Sequence, residues 1–532
     1  MSFQGVQEAS DAREFVMTRV TSPDRRRFLT AGAAVLGAAA SAQLWLPATA
    51  RAAAAALPDG VFGLGVASGD PLPDGIVLWT RLAPDPLHGG GMPDSAVEVE
   101  WEIAEDERFA KVTRRGTAQA LPAYGHSVHV DVRGLGAGRT YWYRFRAGGQ
   151  LSRTGRTRTA PSWTFSRGSL RVALASCQNW QHGYFTPYAD MLAQDPDFVL
   201  FVGDYIYESA PASTGPRRHE GTGEPYTLVQ YRNRYAQYRA DPDLAEMHAN
   251  APFVVTFDDH EVDNDFAGEI PQDPDKQPHD AFVARLTAAY QAYYEHMPVR
   301  ASAVPNGPHI QMYRALDFGR LARLNILDTR QFRSDQATSQ SGAQDPGLTM
   351  LGAAQKQWLL GSLHGSTARW NLVASQIMLA ETDLLLGEGK LWYYDAWDGY
   401  QAERNALLGQ LGNVSNPLVL SGDRHLTMVS DLKEDYADPS SAVVGAEFVG
   451  TSISSNGDQD QAAFHAQWDP LRADNPHWKL IDAHRGYHLF DIDRDGVDAQ
   501  VRVVDTVLRP QAAPSTLARL RVDSGTPGVR LV

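Results

Sequence analysis

One cysteine in 532 residues, Cys177, excludes an intramolecular disulfide. Cys177 is left as a buried apolar thiol or a metal ligand. Long apolar runs are scarce too. Beyond the first fifty residues no segment approaches the roughly 20 apolar residues that a membrane-spanning helix needs, so no stable membrane insertion is expected of the mature chain. Positive charge is in deficit, with 48 Lys+Arg against 63 Asp+Glu and a net charge of -15. That balance argues against a nucleic-acid-binding partner. Internal repeats are missing, and low complexity is confined to an Ala-rich N-terminus.

What is present begins with 43% apolar and 10% aromatic content, ample for two or three packed domains. Residues 1–52 read as a twin-arginine signal peptide: Asp24-Arg25-Arg26-Arg27-Phe28-Leu29, an Ala/Gly-rich apolar stretch to Leu46, then small-residue cleavage sites around Ala50 and Ala52. The expected partner there is the twin-arginine translocation machinery, which carries folded cargo, and the expected location is periplasmic or secreted.

Residues 58–162 show short alternating runs at 75–82, 97–104, 112–120, 127–132 and 140–147, punctuated by Gly, Pro and Asp as an all-β sandwich requires. The stretch Leu135 to Phe145 resembles the turn and aromatic strand of fibronectin-type modules. From 167 to 510 the pattern changes to an α/β class. Continuous apolar strands at 171–176, 197–202, 253–257, 321–327, 371–375 and 417–420 alternate with helical stretches at 228–239, 280–295 and 353–363. Residues 488–504 read as a closing hairpin, and 511–532 as a C-terminal tail.

Four segments with potential ligand side chains fall at the ends of the predicted strands, where side chains converge at the carboxyl edge of an α/β sheet. They are Ser176-Cys177-Gln178-Asn179, Val202-Gly203-Asp204-Tyr205-Ile206-Tyr207-Glu208, Asp258-Asp259-His260-Glu261-Val262-Asp263-Asn264 and Ser421-Gly422-Asp423-Arg424-His425. Asp204 and Tyr207 can turn onto one hard cation, with Asp204 bridging to a second. A phenolate ligand favours a ferric ion. Alternation in an extended loop places Asp423 and His425 on one side and Arg424 on the other. Four ionisable groups in a row at 258–261 are costly to fold without cations or hydrogen bonds to offset them. His260 is the candidate for protonating a leaving group or contacting phosphate. Which of Asp259, His260 and Asn264 touches the second cation stays open at this level. Arg330 is a candidate either for bidentate phosphate contact or for pairing with Asp328 or another carboxylate. Together the segments read as a two-metal phosphoesterase acting on small phosphate esters.

On these motifs the chain resembles the PhoD-like alkaline phosphatases, within the calcineurin-like and purple acid phosphatase superfamily, from about Gly63 to about Val504. The resemblance implies a four-layer α/β/β/α metallophosphoesterase-like sandwich behind an N-terminal fibronectin- or immunoglobulin-like β-sandwich. It implies Fe(III) held by Cys177, Asp204, Tyr207 and His425, with Asp204 bridging to Ca(2+) completed by Asn264 and Asp423. Asp204, His260 and Arg330 are the expected catalytic residues and Asp259 a further metal ligand. The implied reaction is alkaline hydrolysis of phosphomonoesters and some phosphodiesters, by in-line attack of a metal-bridging oxide or hydroxide. Two rivals remain: a phospholipase-D-like phosphodiesterase on the same scaffold, and a non-catalytic surface-binding metalloprotein.

Overall fold

The computed structural model describes residues 57–164 and 168–532; the expected signal peptide at 1–52 lies outside them. Three strands, Ser169–Ala175, Phe198–Phe201 and Phe253–Val255, run parallel, with Val199 paired to Ala173 on one side and Phe253 on the other. They form the middle of a ten-stranded sheet. A seven-stranded sheet is built around a second parallel set, Ala322–Ile326, Trp370–Ala374, Pro417–Ser421 and Val443–Val449.

Both faces of these strands are buried, which is why they read as unbroken apolar runs. Phe198 and Leu200 point from their strand into a core shared with Leu324, Leu372 and Leu418 of the other sheet. Phe198 stacks on Phe318 across that gap at 4.8 Å between ring centroids. The alternate residues, Val199 and Phe201, pack instead against Tyr231 and Tyr235 of helix Leu228–Arg239 and Tyr290 and Tyr293 of helix His279–His296. On the outer side of the seven-stranded sheet, Val373 and Val419 meet Leu359 of helix Gly352–His364 and Leu408 of helix Gln401–Leu411.

The N-terminal strands close a core of their own from Val66, Ile76, Leu78, Val99, Ile103, Tyr141 and Phe145. They are nevertheless continuous with the ten-stranded sheet: Val66–Leu72 pairs in parallel with Phe253–Val255 at Gly69 and Phe253. A β-carbon on Gly69 would stand 2.3 Å from the Pro298 carbonyl oxygen and 2.6 Å from that of Phe253, so only glycine permits the approach. The Trp79 indole donates to the Glu295 carbonyl at 3.0 Å, and His129 Nε2 lies 2.9 Å from that of Tyr294, tying these strands to the end of helix His279–His296.

At the other end of the chain, Gly486–Asp493 and Gly496–Val504 form an antiparallel hairpin, and Gly486–Asp493 also pairs with Ser169–Ala175. The segment expected as a tail instead extends the sheet. Pro514–Asp523 pairs with Gly496–Val504, and Arg530–Leu531 forms the edge. Its alternation, with Leu520 and Val522 buried, is the period-2 pattern of an outer strand that is covered on one face. Among the described residues no helix is long and apolar enough to cross a membrane.

Candidate metal centre

Three of the four expected segments leave their strands through strained turns, and Asp265 strains the chain just past the fourth. Cys177 (φ 57°), Asp204 (φ 58°), Asp265 (φ 52°), Asp423 (φ 67°) and His425 (φ 54°) all occupy the left-handed region. Non-glycine residues held there cost on the order of 1–3 kcal/mol each and concentrate at functional sites. Gly203 precedes Asp204 at φ 113°, and a β-carbon on it would meet the Asp258 β-carbon at 2.4 Å. The turns also brace one another. The Cys177 amide donates to the Gly203 carbonyl at 3.1 Å, and the buried Glu261 carboxylate accepts from the amides of Asp204 (3.1 Å), Tyr205 (2.5 Å) and Asp258 (2.9 Å).

At one pole Cys177, Asp204 and His425 present ligand atoms within 4.8 Å of one another. The Tyr207 hydroxyl joins them, donating to Asp204 Oδ2 at 2.7 Å and lying 2.9 Å from His425 Nε2. Helix Leu228–Arg239 fixes the Tyr207 backbone. Tyr238 Oη accepts from the Tyr207 amide at 3.1 Å, and Arg234 donates to its carbonyl. The helix itself starts at a capping box between Thr227 and Gln230. Burial, then the adjacent Asp204, pushes both the Cys177 thiol and the Tyr207 phenol well above their ordinary pKa values. Without a cation, this pole disfavours the anionic forms that its residue types offer as ligands.

The second pole is a knot of carboxylates. Asp258, Asp259 and Asp423 form one triad, Asp259, Asp265 and Asp395 another, and Asp204, Asp259 and His260 a third that links the poles. Two buried guanidinium groups face them. Arg330 Nε donates to Asp258 Oδ1 at 2.5 Å and Nη1 to Asp395 Oδ1 at 3.0 Å, while Nη2 lies 3.7 Å from Asp259 and 4.0 Å from Asp423. Arg333 also pairs with Asp395. Burial, then Asp395 and Asp259, drives the Asp423 carboxyl well above the usual carboxylate range. Burial acts the same way on Asp259, but Arg330 and His260 outweigh it and hold that carboxyl below the range. Two buried carboxylate oxygens, Asp204 Oδ1 and Asp258 Oδ2, have no hydrogen-bond partner, whereas Asp395 Oδ2 lies 2.9 Å from Arg330 Nη2. Buried, unpaired carboxylate oxygens are costly unless a cation meets them, so the donor set fits bound metal ions.

Glu208 links the remaining residues. Its Oε2 lies 2.8 Å from His260 Nδ1, and its Oε1 accepts from the Asn264 amide at 3.0 Å. Burial lowers the His260 pKa, but Glu208, Asp259 and Asp204 overcome it and raise the pKa well above the ordinary value. The His260 ring packs on Tyr207 at 4.1 Å between centroids. The Asp328 carboxylate accepts from the backbone amides of Arg330 and Gln331, so Asp328 shapes the turn while the Arg330 side chain faces the acidic knot.

Asp265 and Asp395 were not expected here. Asp395 arrives on the long connection after Trp370–Ala374. Its neighbour Asp398 accepts instead from the Thr382 amide and pairs with Arg404. The concentration of aromatics and acid in Tyr393-Tyr394-Asp395 was the available signal.

Strand ends of an α/β fold carrying overlapping carboxylate, imidazole, thiol and phenol ligands define a metal-binding hydrolase class. The family model of the PhoD-like phosphatases matches residues 172–501, and that of their N-terminal domain matches 48–161. Alkaline phosphatase D of Bacillus subtilis (strain 168) is 45% identical over 483 residues, covering 88% of this chain and 82% of the relative. A solved structure of PhoD matches with a TM-score of 0.85 at 45% identity, covering 88% of this chain and 92% of that one. The chain belongs to the PhoD-like phosphatase family.

Proposed function

We propose that the protein is an exported alkaline phosphatase that hydrolyses phosphomonoesters, and some phosphodiesters, at a ferric–calcium centre. The observation that carries this reading is the position of Asp204: it belongs both to the Cys177–His425 group and to the Asp259–His260 group, with one buried oxygen free of any partner. Cys177, Tyr207 and His425 would hold Fe(III) beside Asp204. Asp423, Asn264 and Asp259 would hold Ca(2+), with Asp258, Asp265 and Asp395 close enough to share or support it. When bound, such cations polarise the phosphoryl oxygens and activate the attacking water.

The chain's own residues then do three things. Asp204 fixes the spacing of the two poles. His260, kept protonated and oriented by Glu208, delivers a proton to the departing oxygen. Arg330 holds Asp258 and Asp395 in place and adds positive charge beneath the substrate phosphate.

The layering of the cores supports a four-layer α/β/β/α sandwich for 167–510. The Tyr141 hydroxyl accepts from the Gly136 amide at 2.8 Å, a corner that supports an immunoglobulin- or fibronectin-like module for 58–162. Export by the twin-arginine route to the periplasm or beyond rests on the sequence of residues 1–52.

The test is a rate comparison at alkaline pH on natively exported protein, with p-nitrophenyl phosphate and bis-p-nitrophenyl phosphate, before and after calcium chelation. The reading predicts turnover of both esters, the monoester faster, and loss of rate on chelation. A diester rate far above every monoester rate supports the diesterase rival, and no turnover of either supports the non-catalytic one.

A further inference from the structure

Ser455 lies outside every segment that suggested a ligand, yet it touches two of them. It sits on the buried turn after strand Val443–Val449. Its Oγ is 2.7 Å from the Tyr207 hydroxyl oxygen and 2.8 Å from the Cys177 carbonyl oxygen, and it accepts from the Asn179 amide at 3.1 Å. A serine hydroxyl has one proton to give. The Cys177 carbonyl already receives the Ser455 amide at 3.1 Å. The Tyr207 oxygen, once it serves as a metal ligand, has no proton of its own to offer and calls for a donor.

The turn is itself held by a buried cation. Arg485 Nη1 donates to the Ser455 carbonyl at 2.8 Å and to Ser452 Oγ at 3.1 Å, and Nη2 donates to the Ala483 carbonyl. Arg485 is 3% exposed, and no carboxylate lies within ion-pair distance of it among the described residues. A buried guanidinium without a carboxylate partner is expensive unless anionic groups stand nearby. The anionic forms that Cys177 and Tyr207 would take as metal ligands would supply that charge.

We propose that Ser455, braced by Arg485, is a positioning residue that donates its hydroxyl proton to the ligating oxygen of Tyr207 and so sets the electronic character of the iron pole. The inference rests on the ferric reading above. A hydrogen bond to a ligating phenolate oxygen lowers its donor strength and raises the energy of its charge transfer to the metal.

The test uses the natively exported, metal-loaded protein, with iron content and the visible absorption band measured together. Ser455→Ala is expected to retain iron at about the wild-type level while its band moves to longer wavelength. Ser455→Thr, which keeps the hydroxyl, should hold the wild-type band, and Arg485→Lys should shift it in the same direction as Ala. A band that does not move in iron-loaded Ser455→Ala overturns the inference alone, as does an equal shift in Ser455→Thr. Wild-type protein that is iron-free and colourless overturns the ferric reading, and the inference with it. If Ser455→Ala does not fold, the paired Ser455→Thr and Arg485→Lys spectra decide: a band unmoved in Arg485→Lys, or one moved in Ser455→Thr, counts against the role.

Discussion

Asp204 and Glu208 show how single residues divide the work at this centre. Asp204 lies between both ligand groups with an unpartnered buried oxygen, so Asp204→Asn should lose metal and activity together. The expected loss is at least about 100-fold in kcat/KM, roughly 2.7 kcal/mol in the barrier, with the far-ultraviolet circular dichroism unchanged. Glu208 acts through His260, and its effect has a definite sign. A carboxylate beside an imidazole raises the pKa of that imidazole, so a proton-donating His260 loses activity as pH rises through that raised value. Glu208→Gln should therefore move the basic limb of the pH–rate profile to lower pH, and an unmoved limb would remove Glu208 from the proton-delivery scheme. Cys177, Asp204, Tyr207, Asp423 and His425 were legible in the sequence because each stands one to six residues beyond an apolar run. Asp265 and Asp395 were not, because they reach the centre on long connections whose path is set by contacts with residues distant in sequence, and Ser455 was not, because a lone serine six residues past the strand Val443–Val449 carries no ligand pattern.

At the scale of elements, the site depends on turns that only particular residues can make. Gly203→Ala should disturb the centre, since the added carbon would stand 2.8 Å from the Asp258 amide nitrogen and 2.4 Å from its β-carbon. A destabilisation of roughly 2 kcal/mol or more in urea, with loss of metal, is expected. Phe198→Ala removes one partner of the stacked pair between the two sheets. That should cost about 3–5 kcal/mol while leaving the ligand set intact. The strands and helices named from the sequence lie within a residue or two of those observed: the run at 228–239 is the helix Leu228–Arg239, and 97–104 is the strand Val97–Ala104, while Gln401–Leu411, Val443–Val449 and Pro514–Asp523 were not named. Their pairing was not readable. The junction of Gly69 with Phe253, which merges the N-terminal strands with the ten-stranded sheet, turns on a β-carbon-free contact that composition and periodicity do not register.

Across the whole molecule, buried neutral histidines set a pH window. Burial holds His488 down to about 3 and His477 to about 4, burial with Arg234 holds His219 to about 3, and His248 and His296 lie well below the ordinary value. Each folded-state pKa is depressed below the unfolded value of about 6.5, so this contribution is fully present above about pH 6.5. It is lost as pH falls toward the folded values, at up to roughly 1.4 kcal/mol per pH unit for each histidine. The urea midpoint should fall steadily from pH 7 to pH 5, and His488→Gln should make that fall shallower. A midpoint constant over this range would contradict the assignment. Such a protein suits an alkaline working range.

The central claim is that one carboxylate, Asp204, joins an iron pole to a calcium pole, and elemental analysis of natively exported protein tests it most directly. The account predicts one iron and at least one calcium per chain, with both depleted in Asp204→Asn. A fully active wild-type protein containing zinc alone, or an Asp204→Asn protein that keeps both metals, would contradict it.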